Sequence, residues 1–422
     1  MVVGDYKGKV YGEGLDERLS WANKKIDFKE MLYTIAFCFF FAPEPYAVKK
    51  PVLLAWRMMI CIVSMVAIIS YLRRKRMSGH WVSLTLFVLF YYLLSSFVNK
   101  SDTNWILVLF YSVDVIGFIT VLDYCLYYDF ERSLRAFIAA GIIMCGVHYV
   151  TFLLYRDVPF GMRNAELSAV KYRLEDGIWF FLKHDNGSVF YFIPVLSALW
   201  YYVCEYRRLH RTALICSALT LYMYWSQWSV AAMILSTVLI CLYLYIYYSK
   251  EQVVIPIPSF RMSVLIGFAV CGLLVYGVIN PNRFIYWFSS TVNRDVTFSG
   301  RSIIWPRAIE AIRTSPVFGL GCESDALTIL RIGINHTHNM ILQVLYTGGI
   351  VTMIPLLFGL LHCEVQTSTK SKFLSKGQMC LSLSALFIII LSSVDWYLYL
   401  PVQFASFIIY RNSRLRMSES SS

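Results

Sequence analysis

The stretch from Trp228 to Tyr248, WSVAAMILSTVLICLYLYIYY, decides the fold class of this chain. It carries no charged side chain and matches the roughly 20 apolar residues that a helix needs to cross the hydrocarbon of a bilayer. Lipid offers no water to the backbone, so a segment of this kind must satisfy its N–H and C=O groups within itself, as a helix does. Working outward, comparable runs recur at residues 31–42, 51–70, 81–98, 104–122, 136–155, 187–204, 212–225, 262–279, 339–361, 379–394 and 396–410. The pattern predicts an all-α, polytopic integral membrane protein with about 12 transmembrane helices.

Composition agrees. The chain has 422 residues, 58% hydrophobic and 15% charged, whereas soluble domains carry about 25% charged residues, so a soluble globular protein is excluded. A net charge of +12 would suggest nucleic acid in a soluble protein. Here it reads as topology, because Lys and Arg mark cytoplasmic loops, and the expected partner is the lipid bilayer with no nucleic acid. The run Arg73-Arg74-Lys75-Arg76, with Arg207, Arg208, Arg211 and Arg411, Arg414, Arg416, falls on one side, and Lys49, Lys50 and Lys100 in the short loops of the other. Both termini are therefore expected in the cytoplasm. Met31 to Ala42 imitates a signal peptide, but Pro43-Glu44-Pro45 stands where small cleavage-site residues belong, which predicts a retained first span.

The expected organisation is a cytoplasmic segment at 1–30 and nine helices over 31–279 with an outer loop at 156–186. A large extracytoplasmic loop carrying short helices follows at 280–338, then three helices over 339–410 and a cytoplasmic tail at 411–422. Ten of the eleven cysteines sit in or beside apolar segments, leaving Cys322 alone in a polar loop, so no disulfide scaffold is expected. Within the spans, Arg57, Asp114 and His148 are the ionisable residues of note. Structural roles are expected for them, with Asp114 pairing Arg57.

The 280–338 loop concentrates chemistry. Ser299-Gly300-Arg301 reads as a turn, and Pro306 suits the first position of a helix. Ala308, Ile309 and Ile312 then form an apolar face opposite Arg307, Glu310 and Arg313. Pro316 should end that helix, and Gly319-Leu320-Gly321 permits positive φ or close backbone approach. Asn335-His336-Thr337-His338-Asn339 stands immediately before a long apolar helix. A histidine in the first turn of a helix feels the positive end of its dipole, which favours a neutral ring able to act as a general base. Two other readings stand beside this one. The histidines are solvated loop residues with Asn335 or Thr337 as N-cap, or they share a metal ion with Glu323 or Asp325 as third ligand. Arg301, Arg307, Arg313 and Arg331 suit an anionic head group such as a diphosphate, or pair with Asp295, Glu310, Glu323 and Asp325.

Gly300-Arg301, Trp305, Pro316, Gly319, Gly321, His336, His338-Asn339, Leu342 and Gly348 together resemble the signature of the O-antigen ligase and polymerase superfamily of bacterial membrane glycosyltransferases. The resemblance implies a metal-independent, inverting transfer at the outer face of the cytoplasmic membrane, with no cofactor. The donor would be a glycan on undecaprenyl diphosphate, and the acceptor a glycan or a lipid-linked glycan. It implies His338 as base on the acceptor hydroxyl and Arg301 as diphosphate ligand, with Arg307 as a further cation and His336 and Asn339 in support. Polymerisation of lipid-linked repeat units into a capsule, exopolysaccharide or O-antigen is the leading expectation. A ligase moving finished glycan to a lipid or other acceptor is the second, and a flippase the third. The family's arginine near the start of the helix at 226–248 is absent, since the sequence there reads Ser226-Gln227-Trp228-Ser229. Arg163, Lys171, Arg173 or Lys183 is the expected substitute. Lys183-His184-Asp185-Asn186-Gly187 resembles the family's Asn-containing entry to the sixth span over a short match, and a helix cap is the favoured reading.

Overall fold

The structure is a computed structural model that describes residues 27–43, 49–73, 78–100, 102–154, 181–182, 185–227, 230–249, 257–280, 300–363, 374–394 and 400–419. Among them all regular structure is helical. In chain order the helices are α1 Phe28–Phe39, α2 Lys50–Arg73, α3 Gly79–Val98, α4 Trp105–Tyr128, α5 Phe130–Leu154, α6 Asp185–Tyr206 and α7 His210–Gln227. There follow α8 Val230–Tyr248, α9 Phe260–Ile279, α10 Arg301–Thr314, α11 Asp325–Ile332, α12 Met340–Leu361, α13 Lys376–Leu391 and α14 Ala405–Glu419. Eleven of the expected spans overlap one of these helices; of the twelfth, 396–410, residues 396–399 lie outside the described residues and 405–410 open α14, which runs on to Glu419 through part of the expected tail.

Eight of them, α2 to α6, α8, α9 and α12, are long and apolar enough to cross a membrane. Helices α1, α7, α13 and α14 pack into the same bundle with 12, 18, 16 and 15 residues. Helix α1 lies along α5, α2 along α4, α3 along α12, and α13 against α6 and α9. Helix α6 is buried throughout its spanning window, whereas α2 shows most of its surface outward. The centre therefore lies around α6 and α13, with α2 at the periphery.

One end of the bundle is tied by a buried carboxylate. Asp123 of α4 accepts from the Tyr71 hydroxyl (3.0 Å), Arg411 Nη1 (3.0 Å) and Asn412 Nδ2 (2.9 Å), which joins α2, α4 and α14. His80 Nδ1 meets Gly359 O at 2.8 Å nearby, holding α3 to α12. The expected Asp114–Arg57 pair is not a direct ion pair, although the Arg57 charge still acts on Asp114. Arg57 lies over the Phe110 ring, 5.2 Å from its centroid, where cation–π attraction replaces the ion pair, and Asp114 stays buried on α4. His148 has the structural role expected, since its Nδ1 accepts from the Leu182 N–H (3.1 Å) and its ring stands edge-on to Phe192.

Helix α12 is broken. Gly349 has φ 66°, ψ −166° in its middle, so the regular bonds of Ile350 and Val351 to Tyr346 and Thr347 are lost. The segment after α10 replaces them. Ile350 N–H donates to Pro316 O (3.0 Å) and Val351 N–H to Val317 O (3.1 Å), while Leu320 N–H donates to Tyr346 O (2.7 Å) and Gly321 N–H to Thr347 O (2.9 Å). Four bonds between segments thus stand in for the helical ones. The fit excludes side chains: a Cβ on Gly319 (φ 65°) would lie 2.4 Å from the Thr347 carbonyl carbon, and one on Gly349 2.2 Å from Val317 O.

Removing the buried carboxylate should be costly. Asp123→Ala strands the Arg411 guanidinium, whose side chain is 13% exposed, and breaking a buried pair in this way costs about 3–5 kcal/mol. Thermal unfolding in detergent should show a clear fall in midpoint, and an unchanged midpoint would remove Asp123 from the packing account.

Candidate active site

The site is built from the segment between α9 and α13. Helix α10 begins at Arg301, with Gly300 in the left-handed region (φ 84°) as its N-cap and the N–H groups of Ile303 and Ile304 both reaching Gly300 O. Pro306 therefore lies inside the helix, five residues later than the first position expected. Burial of Ile304, Trp305 and Ala308 outweighs the one hydrogen bond the proline forfeits. These residues join Val275 and Val278 of α9, Leu320, Ile332 of α11, and Leu342 and Tyr346 of α12 in a second apolar core, separate from that of the bundle. Ile309 and Ile312 pack at its edge while Arg307, Glu310 and Arg313 are exposed, so the amphipathic face is as the sequence indicated.

The histidine segment is held from both sides of one residue. Thr337 is buried; its N–H donates to Gln343 Oε1 (2.8 Å) and its carbonyl accepts from Trp305 Nε1 (2.9 Å). Gln343 in turn donates to Thr347 Oγ1 (3.0 Å), one residue before the Gly348-Gly349 pair. On either side of Thr337 stand His336 and His338, their ring centroids 3.8 Å apart. The His338 N–H donates to His336 Nδ1 (3.3 Å), an arrangement that requires that nitrogen to be unprotonated. His338 has φ 52°, a region that a non-glycine residue adopts at a cost of about 1–3 kcal/mol and that clusters at functional sites.

Neither Asn335 nor Thr337 caps α12. Asn339 does, its side chain accepting from the Leu342 N–H (3.1 Å), so His338 stands just before the helix rather than in its first turn. The Asn339 Nδ2 donates to Ser393 O (3.1 Å), and Met340 N–H to Ser392 O (2.8 Å). Arg301 Nη2 donates to Val394 O. The cap beside His338 and the guanidinium of Arg301 thus converge on successive carbonyls of one turn, 392–394, at the end of α13.

Arg307 leaves α10 on another face. It is exposed, with Nη1 3.2 Å from where a Cβ on Gly333 would lie, at the carboxyl end of α11. Glu323, one of the conjectured metal ligands, is engaged by Arg331 Nε (3.1 Å) and the Tyr346 hydroxyl (2.8 Å). Asp325 starts α11. Among the described residues no group of three His, Cys, Asp or Glu is placed to hold a metal. Asp295, Arg163, Lys171, Arg173, Lys183 and the Trp228-Ser229 pair lie outside the described residues, as do the side chains of Asp185 and Asn186.

Cys322 fastens the segment to α3: its N–H donates to Ser96 Oγ (2.9 Å) and its carbonyl accepts from Thr103 Oγ1 (2.7 Å). Ser95 Oγ sits between the carbonyls of Phe318 and Thr347. Sequence reasoning missed Ser95, Ser96, Thr103, Gln343 and the 392–394 turn. The one signal available was the Gly348-Gly349 pair inside an otherwise regular span.

A family model described as O-Antigen ligase matches residues 212–357. That region runs from α7 to the second half of α12 and contains Arg301, His336, His338 and the helix break. No curated protein matches the chain.

Two outcomes test this geometry. Gln343→Ala removes the acceptor of the buried Thr337 N–H, and leaving such a group unpaired costs about 1–3 kcal/mol. Local hydrogen exchange at 335–339 should accelerate while the helices of the bundle stay protected, and unchanged exchange would dismiss the clamp. Burial pushes the Cys322 thiol from 9.0 up to about 12. Its protonated form is therefore favoured by folding, a stabilisation complete below pH 9 and lost as pH rises towards 12. Because Cys322 is half-buried and its thiol is held protonated, a water-soluble maleimide near neutral pH should label it more slowly in the folded protein than after unfolding. Equal labelling in both states would contradict this.

Proposed function

Because residues 212–357 carry an O-antigen ligase domain, which supports membership of the O-antigen ligase and polymerase superfamily, we propose that this multi-pass membrane protein transfers a glycan from undecaprenyl diphosphate to a sugar hydroxyl. The family indicates the ligase or polymerase type of function; the donor, the roles and the outcome below are our reading. The observation that carries it is the convergence of Arg301 and the His338–Asn339 pair on the 392–394 turn.

His338 takes the proton of the acceptor hydroxyl, and the resulting oxygen nucleophile attacks the anomeric carbon of the donor. The bond from that carbon to the diphosphate oxygen breaks with its electron pair, and configuration inverts. Arg301 holds the departing undecaprenyl diphosphate, supplying fixed positive charge where negative charge develops. Arg307 is the further cation of the same helix, reached from its exposed side. Charge stabilisation by guanidinium groups makes a metal unnecessary in this scheme. His336 supports His338 through Nδ1, and Asn339 fixes its backbone. The Lys and Arg distribution of the sequence supports a His338 end that lies outside the cytoplasm. Polymerisation of lipid-linked repeat units is the leading outcome. The description of the matched family favours a ligase as the second reading: loss of the gene would leave single repeat units at the surface for a polymerase, and free unattached polymer for a ligase.

Purified protein with a lipid-linked donor tests the chemistry. His338→Ala should lower turnover by about 10²–10⁴, the usual contribution of a general base, while leaving the unfolding midpoint unchanged. Arg301→Ala should lower it by about 10²–10³, as for other preorganised charge contacts. Full transfer by the histidine variant would overturn the base assignment.

A further inference from the structure

We infer that the layer formed by the 316–318 turn and α11 is an interaction surface for lipid acyl chains, seated in the leaflet at the His338 end of the bundle rather than standing clear of it. This surface stands on the geometry of the layer and does not depend on the transferase reading.

Depth is the first argument. Helix α12 has 22 residues, about 33 Å at 1.5 Å per residue, against about 30 Å of hydrocarbon. Pro316 and Val317 bond to Ile350 and Val351, about 15 Å along α12 from its first residue. Helix α11 is anchored through Glu323 to Tyr346, about 9 Å along it. The 316–332 segment therefore flanks the body of a spanning helix.

The second argument is continuity. On α12 the outward residues Ile350, Ile354 and Phe358 form one stripe at helical spacing, and a spanning helix presents such a stripe to lipid. Val317 is exposed and hydrogen-bonded next to Ile350 at the head of that stripe, followed by exposed Phe318. On α11, Ile329 and Leu330 face outward, Leu330 at 81% exposure, while Thr328 and Ile332 face the second core. These outward side chains offer no hydrogen-bonding group to a sugar or to water. Part of the turn's backbone is tied to the bundle: the N–H groups of Leu320 and Gly321 and the carbonyls of Pro316 and Val317 bond to α12, and the carbonyl of Phe318 to Ser95 Oγ. The Arg331 charge is paired with Glu323, as a charge beside an apolar surface requires.

A genetically encoded fluorescent amino acid placed at position 330, and separately at 318, tests this in full-length protein reconstituted in phosphatidylcholine vesicles. Position 354 is the lipid reference and position 313 the aqueous one. In vesicles brominated on the acyl chains, intensity at 330 and 318 should fall as it does at 354, and aqueous iodide should quench only 313. Quenching of 330 and 318 by iodide would overturn the inference. So would shielding from both quenchers, which would mean that protein covers the surface. Because Leu330 is 81% exposed, the protein substituted there should keep its unfolding midpoint and its glycan transfer, so failure here and failure of the transferase reading are read separately.

Discussion

A helix that breaks inside a membrane leaves backbone groups that no water can reach, and α12 breaks at Gly349. Two carbonyls and two N–H groups lose their helical partners there, each at a cost of several kcal/mol in hydrocarbon. The chain resolves this by inserting residues 316–321, whose own irregular backbone needs partners equally. The two defects are complementary, so neither segment is stable as drawn without the other. Glycine at 319 and 349 is a consequence, because positive φ and contact distances of 2.2–2.4 Å leave no room for a Cβ.

The candidate site hangs from this junction. Thr347 at the break holds Gln343, Gln343 holds Thr337, and Thr337 separates the two histidines. Trp305 reaches the same Thr337 from α10, the helix that begins with Arg301. From the other side the 392–394 turn fixes Asn339, Met340 and Arg301. Motif residues therefore divide by job. Pro316, Gly319 and Gly321 build the junction, Trp305 and Leu342 the small core above it, and Arg301 and His338 are the residues we propose for the chemistry. On that proposal, a substitution at the first group would disturb activity without touching substrate.

The sequence made much of this legible. Apolar runs located the helices of the bundle from α1 to α13, because hydrocarbon imposes length and composition on a span directly, whereas only the first six residues of α14 lie in such a run. The glycines at 319 and 321 were readable as close-approach positions, though their counterpart, α12, was not. Pro306 misled because its penalty is local, whereas Trp305 burial, which fixes the start of α10 at Arg301, is a long-range effect. The cap on α12 escapes a sequence reading for the same reason: Asn335, Thr337 and Asn339 are equivalent by type, and the bond to Ser393 in the turn after α13 selects Asn339. Asp114 and Arg57 looked paired by sign, but Arg57 found an aromatic ring on α4 instead.

Hydrogen exchange at the helix break tests the central claim most directly. In detergent-solubilised protein, the amides of Leu320, Gly321, Ile350 and Val351 should exchange as slowly as the regular amides of α12, since each is a donor in the junction. Exchange of the 320–321 amides at the rate of an open loop would contradict the account.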